Sequence, residues 1–217
     1  MTYRDASGKR LSDYPRPSVA VDTAVLTLTD GEAPGLAVLE VRRSEGTGWA
    51  LPGTFLHEGE RLIDAVQRAL RTKAGVEGLH PRQLGVFDDP QRDDRGWVLS
   101  VAHAELVPPE QLAHRDPVDT RVLPISKPGR LPYDHAEIIR RAVADARRRY
   151  AEHPDPDQLL AGSFTLRELR LVHEAVAGQP LQRDTFRRAV EPFLTPTGAT
   201  VVRGPGRPAE LFERAEP

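Results

Sequence analysis

The chain has 217 residues, with 30 Lys or Arg against 32 Asp or Glu, and this near neutrality argues against a wholly basic nucleic-acid binder. It contains no cysteine, which excludes a disulfide framework and a cysteine-held zinc site. No stretch approaches the length of a membrane span and no apolar run follows a basic start, so no membrane partner is expected and the expected location is the cytoplasm.

Residues 1–17 are polar and end in an extended lead-in fixed by Pro15 and Pro17. Residues 19–30 alternate and are β-branched, which predicts a strand. A turn from Gly31 to Gly35 leads to a second strand over 36–43 and a hairpin. Over 62–74 the side chains of Leu62, Ile63, Ala65, Val66, Ala69 and Leu70 recur at helical spacing, with Gly75 as the stop. Further strands begin at Arg82 and span 97–106, joined by a charged turn, RDDRG, at 92–96. A helix over 134–150 carries Ile138, Ile139, Ala142, Val143 and Ala146 as its apolar stripe.

The composition then changes. Residues 152–158 hold two prolines and three acids and no apolar period, so they read as linker. The expected organisation is a β-rich domain over 1–151, a linker over 152–162 and a compact unit over 163–217. In that unit Thr165 and Glu168 stand in capping-box spacing and Gly178 ends the helix they begin. A second helix is expected over 181–193, then two short strands over 195–212 joined by a Gly/Pro/Arg tip. Helix, turn, helix and hairpin make the layout of a winged helix-turn-helix.

Charge adds to that reading. Residues 182–207 hold five Arg against Asp184 and Glu191. On the second helix Leu181, Phe186, Ala189, Val190 and Phe193 supply the expected buried positions, leaving Gln182, Arg183, Thr185, Arg187 and Arg188 outward. Gln pairs with adenine and Arg with guanine in a major groove. Arg203 and Arg207 sit on the hairpin tip, suited to phosphates or a narrow minor groove. The plainer alternative is a solvated basic helix; helix and tip carrying the excess together favours double-stranded DNA.

Residues 54–76 resemble the Nudix box, a loop–helix–loop motif of nucleotide hydrolases. Glu60 stands at its first glutamate, Arg68 at its arginine, Leu70 at its aliphatic position, then Gly75 and Val76. The opening glycine is Thr54, and the other three glutamates are Ala69, Thr72 and Lys73. The resemblance implies a Nudix α/β/α sandwich, an α+β chain once the winged unit is added. In active members the last two glutamates carry most of the Mg²⁺ binding. A hard cation needs oxygen ligands, and here one is a hydroxyl and the other an ammonium, so neither a metal nor a cofactor is expected.

Arg68 is expected to pair with Glu60 or a backbone carbonyl if the helix is only structural. The sharper alternative has Lys73 neutralise a diphosphate where the metal stood. The 92–96 turn is similar to a segment that lines the pocket in Nudix proteins acting on ADP-ribose, with Asp94 replacing a proline. This makes Arg92 and Arg95 candidate ligand residues, together with Arg42 and Arg43 on the second strand. Trp49 either stacks on a base or anchors the box loop. His135 reads as a capping or packing residue.

Taken from about Val19 to Phe212, the chain resembles the NrtR group of Nudix-related transcriptional regulators. That resemblance implies a homodimeric repressor of NAD-metabolism genes, released from its operator by ADP-ribose or a similar nucleotide. The competing readings are an ADP-ribose pyrophosphatase of the Nudix type with an accessory tail, and a scaffold whose C-terminal unit binds protein.

Overall fold

The computed structural model describes residues 3–44, 46–202 and 208–215; the proposed tip residues Arg203 and Arg207 lie outside them. One mixed sheet of seven strands organises the N-terminal part. The strands are β1 (Ser18–Leu28), β2 (Leu36–Arg42), β3 (Trp49–Ala50), β4 (Gly53–Phe55), β5 (Arg82–Phe87), β6 (Val98–Leu106) and β7 (Thr120–Pro124). Their order is β3-β2-β1-β6-β5, with β4 paired to β1 and β7 to β2. β1 runs parallel to β6 from Ser18↔Val98 to Leu26↔Leu106, and antiparallel to β2 only at Leu26–Leu28.

Alternation on β1 divides the core, because successive side chains leave opposite faces of a strand. Val21 and Val25 pack with Ala65, Val66 and Leu70 around α1 (Leu62–Ala69). Ala24 and Leu26 pack with Ile138, Ala142 and Ala146 of α2 (His135–Glu152). Two helices on two faces make the expected sandwich. The helix expected over 62–74 is α-helical to Ala69 and continues as a π turn from Leu70 to Ala74, ended by Gly75 at φ +66°. Gly75 takes the left-handed conformation that an L side chain resists.

Beyond α2 come α3 (Leu166–Ala177), α4 (Arg183–Val190), β8 (Leu194–Val201) and β9 (Ala209–Arg214). Thr165 and Glu168 close the expected capping box, Glu168 N donating to Thr165 Oγ1 at 3.2 Å and Thr165 N to Glu168 Oε2 at 2.8 Å. A separate core of Phe164, Leu169, Phe186, Val190, Leu194 and Phe212 holds this unit. Two of the expected anchors differ. Ala189 and Phe193 are exposed, because the helical stripe that buries Phe186 and Val190 runs past the small core and faces an open crevice against α2.

The stretch between α2 and α3 is tightly folded around Asp155, which is fully buried. Its carboxylate accepts from the Tyr150 hydroxyl at 2.9 Å, Leu159 N at 2.8 Å, Leu160 N at 3.0 Å and the Arg214 guanidinium. A buried carboxylate is tolerable only when paired and hydrogen-bonded. Val172 and Val176 of α3 complete the contact by packing into the α2 core.

Candidate functional site

A cleft of about 200 Å³ opens where β1 and β2 part, since β2 beyond Val38 pairs with β3 and β7 while β1 pairs with β4. Its floor is a polar cluster. Asp22 on β1 accepts from Ser100 Oγ at 2.6 Å, lies 3.3 Å from His135 Nε2 and lies 3.5 Å from Arg92 Nη2. His135 Nδ1 accepts from Leu51 N at 3.0 Å, which leaves Nε2 to carry the ring proton toward Asp22. Arg92 donates from Nε to Asp134 at 2.6 Å, and its buried Nη2 has no hydrogen-bond partner among the described residues. Burial alone would raise the Asp22 carboxyl; hydrogen bonding and charge from His135, with Ser100 and Arg92, outweigh it and hold the group below the usual carboxylate range.

Gly53 closes the wall. A β-carbon there would stand 2.1 Å from Asp22 Oδ1 and 2.8 Å from the Val21 carbonyl, so no other residue fits without movement. Lys73, at the end of the π turn, reaches across to the Gly53 carbonyl oxygen at 2.5 Å. At the mouth, Arg95 lies 5.0 Å from the Tyr133 ring and 5.1 Å from Phe55, while Arg43 lies 6.0 Å from Tyr133. The hydrogen bonds from Arg95 hold Asp93 well below the usual carboxylate range.

The structure thus brings Arg43, Lys73, Arg92 and Arg95 to one cleft and leaves Arg68 and Trp49 outside it; Arg42 borders the cleft, but its guanidinium donates to Asp119 at 3.1 Å and to the Val118 carbonyl at 3.0 Å. Arg68 is engaged elsewhere: its Nε and Nη2 each donate to Glu60 at 2.8 Å, Nη1 to Thr54 at 3.0 Å and Nη2 to the Phe55 carbonyl at 2.9 Å. That bidentate pair lowers Glu60 to about 2. The Thr72 hydroxyl donates to the Arg68 carbonyl at 2.8 Å. Trp49 has the Arg121 guanidinium 4.4 Å and the Arg42 guanidinium 5.0 Å from its ring centre, so its ring is packed against two cations of β2 and β7. Asp22, Tyr133 and Phe55 are cleft residues that sequence reasoning missed, and His135, read from the sequence as a capping or packing residue, also lines the cleft. The Asp-His pair beside Pro132 was the visible signal, but only the fold joins it to β1.

Gln182, Arg183, Thr185, Arg187 and Arg188 are all exposed on or beside α4. Gln182 caps the helix by accepting from Thr185 N at 2.5 Å. Arg187 lies 3.2 Å from Glu191, and Arg188 donates to the Asp184 carbonyl at 3.2 Å. Arg183 and Arg187 share a groove with Arg167 and Arg170 of α3, two further basic residues that the sequence reading passed over.

Residues 18–146 match the family model described as NUDIX domain, and residues 156–213 match that described as NrtR DNA-binding winged helix domain. The crystal structure of Shewanella oneidensis NrtR complexed with a 27mer DNA is 31% identical, covers 90% of this chain and 93% of that one, and superimposes with a TM-score of 0.71. The chain belongs to the NrtR family of Nudix proteins. The NUDIX domain of the same Shewanella NrtR, cocrystallised with ADP ribose, is 28% identical over 64% of this chain and 94% of that one, with a TM-score of 0.53. An ADPR responsive transcriptional repressor of Acinetobacter baylyi is 28% identical, over 94% of this chain and 84% of its own length. An ADP-ribose pyrophosphatase of Methanocaldococcus jannaschii is 30% identical, over 63% of this chain and 78% of its own. A regulator and a hydrolase are thus both among the relatives of this chain, and the side chains at the box differ from those that hydrolysis needs.

Proposed function

We propose that this NrtR family member is a transcriptional repressor that binds double-stranded DNA through α4 and the hairpin tip. It senses ADP-ribose or a closely related nucleotide in the cleft and does not hydrolyse it. The observation that carries the sensor is the set of four cationic side chains, Arg43, Lys73, Arg92 and Arg95, around one cleft. A diphosphate supplies the complementary charge, and guanidinium groups suit phosphate oxygens.

Inactivity is supported by the chemistry of the box. Both Glu60 oxygens are engaged by Arg68, and the positions of the paired glutamates hold a hydroxyl and an ammonium. That donor set does not fit Mg²⁺, which takes oxygen ligands. The likeness to a pyrophosphatase favours the hydrolase reading at the level of the fold, and the box weakens it. The working division is sensor over 1–151, junction over 152–162 and DNA-binding unit over 163–217. A homodimer on a two-fold operator, controlling genes of NAD metabolism, is the assembly this reading takes. The effector's leverage is its difference in affinity for the DNA-competent and DNA-incompetent arrangements. Calorimetry with ADP-ribose in the presence of a chelator, followed by separation of products with Mg²⁺ or Mn²⁺ added, tests it. Metal-free binding without turnover is expected; turnover near 1 s⁻¹, the low end of ordinary enzymes, refutes it.

A further inference from the structure

A groove of about 510 Å³ runs between α3, α4 and β9 and shares no lining residue with the nucleotide cleft. Its polar lining is Thr165, Arg167, Arg170, Arg183, Arg187 and Glu210, and the rest of the lining is apolar. Helical spacing explains how the arginines converge. Arg167 and Arg170 stand three residues apart on α3, and Arg183 and Arg187 four apart on α4, so each pair lies on one helix face. The two faces meet across the groove.

The four cations are not equivalent. Arg170 is paired with Glu174, and Arg187 with Glu191 at 3.2 Å. Arg167 and Arg183 are exposed and have neither an ion pair nor a hydrogen bond among the described residues. Both also stand where a cation is unfavourable. Arg167 is the second residue of α3 and Arg183 the first of α4, each at the positive end of its helix dipole. The acids of those turns do not relieve them: Glu168 is held by the Thr165 capping box, and Asp184 lies outside the groove lining. Glu210 on β9 lines the groove and makes no ion pair with any of the four among the described residues.

An anion relieves this arrangement, and unpaired cations on opposite walls suit an anion whose charge repeats along its length. We propose that the groove holds the backbone of one DNA strand, with Arg167 on one phosphate and Arg183 on a neighbouring one. The proposal rests on the DNA-binding reading above and adds α3 to the interface. Phosphate contacts fix the register and orientation of a protein on the duplex without reading sequence, so Arg167 sets how α4 enters the groove it reads and not which bases it prefers.

Anisotropy titration of the full chain between 50 and 200 mM salt tests this on two labelled duplexes, the region upstream of its own gene and a random sequence of equal length. Arg167→Ala should weaken binding to both by the same factor. It should also flatten the slope of log affinity against log salt by about 0.9, so that across this range the wild type loses roughly 3.5-fold more affinity than the variant. Arg183→Ala should do the same, and Arg167→Lys should restore the wild-type slope. Arg140→Ala, which removes the same charge from an exposed position on α2, should leave the slope unchanged. A wild-type slope in either alanine variant, a loss confined to the upstream duplex, or equal flattening by Arg140→Ala overturns the proposal. The repressor reading then stands or falls separately, on whether the wild type prefers the upstream duplex. Should the wild type bind both duplexes equally, that reading fails, and the slopes on the random duplex still decide the groove. Absence of binding to either duplex overturns both.

Discussion

The Lys73 ammonium lies 2.5 Å from the Gly53 carbonyl oxygen, tying the π turn that ends the box helix to the wall of the cleft. On the proposed reading this cation stands where the box resemblance puts a metal-binding carboxylate, and it lines the cleft. Lys73→Glu should therefore weaken metal-free ADP-ribose binding by about tenfold or more, or ~1.4 kcal/mol, in calorimetry with chelator present. Unchanged affinity would remove Lys73 from ligand binding.

Gly53 is required by a close approach. Gly53→Ala places a β-carbon against Asp22 and the Val21 carbonyl, both of which belong to a buried, hydrogen-bonded wall. Overpacking of this kind costs about 1–3 kcal/mol. Urea denaturation should record that loss, with nucleotide affinity falling as well because Asp22 also holds Arg92.

The elements that bury a regular face were legible in the sequence. Alternation in β1 and the helical stripes of α1 and α2 each follow from one local period, and the Thr165–Glu168 cap marked the start of α3. β3, β4 and β7 were not legible, since strands of two, three and five residues carry too few alternations to register. The cationic side chains could be named singly. Their grouping with Asp22 and His135 could not, because it joins β1, the 92–96 turn and the start of α2, which are distant in sequence. Ala189 of α4 and Phe193, in the 3-10 turn Glu191–Phe193 that follows it, fit the apolar period expected over 181–193 and are exposed nonetheless. Periodicity reports which face is apolar, and the length of the neighbouring core decides how much of it is covered.

His173 gives a pH dependence of definite sign. Its folded value of about 4 lies below the ordinary 6.5, so the unfolded chain takes up the proton first. The stability it contributes is fully present above pH 6.5 and is lost as pH falls toward about 4. Denaturant unfolding at several pH values should record a loss of up to about 3 kcal/mol across that window. His173→Gln should remove this segment of the profile; a parallel profile in the variant would show that other groups cause it.

Arginines of the DNA-binding unit should separate by role. Arg187→Ala or Arg188→Ala should cost about 1–3 kcal/mol and relax specificity at one base position, if either reads a base edge. Arg203→Ala and Arg207→Ala should weaken binding evenly across sequences and flatten the salt dependence by about one unit of slope. Anisotropy titrations of each variant at two salt concentrations, on specific and random duplexes, separate the classes.

Nucleotide sensing and DNA binding are joined in one chain on the proposed reading, and one titration addresses both. Full-length protein is added to labelled DNA from upstream of its own gene, beside a random duplex of equal length, with and without ADP-ribose. Preference for the upstream fragment and its release by ADP-ribose in the presence of chelator are expected on that reading. Equal binding to both duplexes, or an upstream preference indifferent to ADP-ribose at saturation, would contradict it.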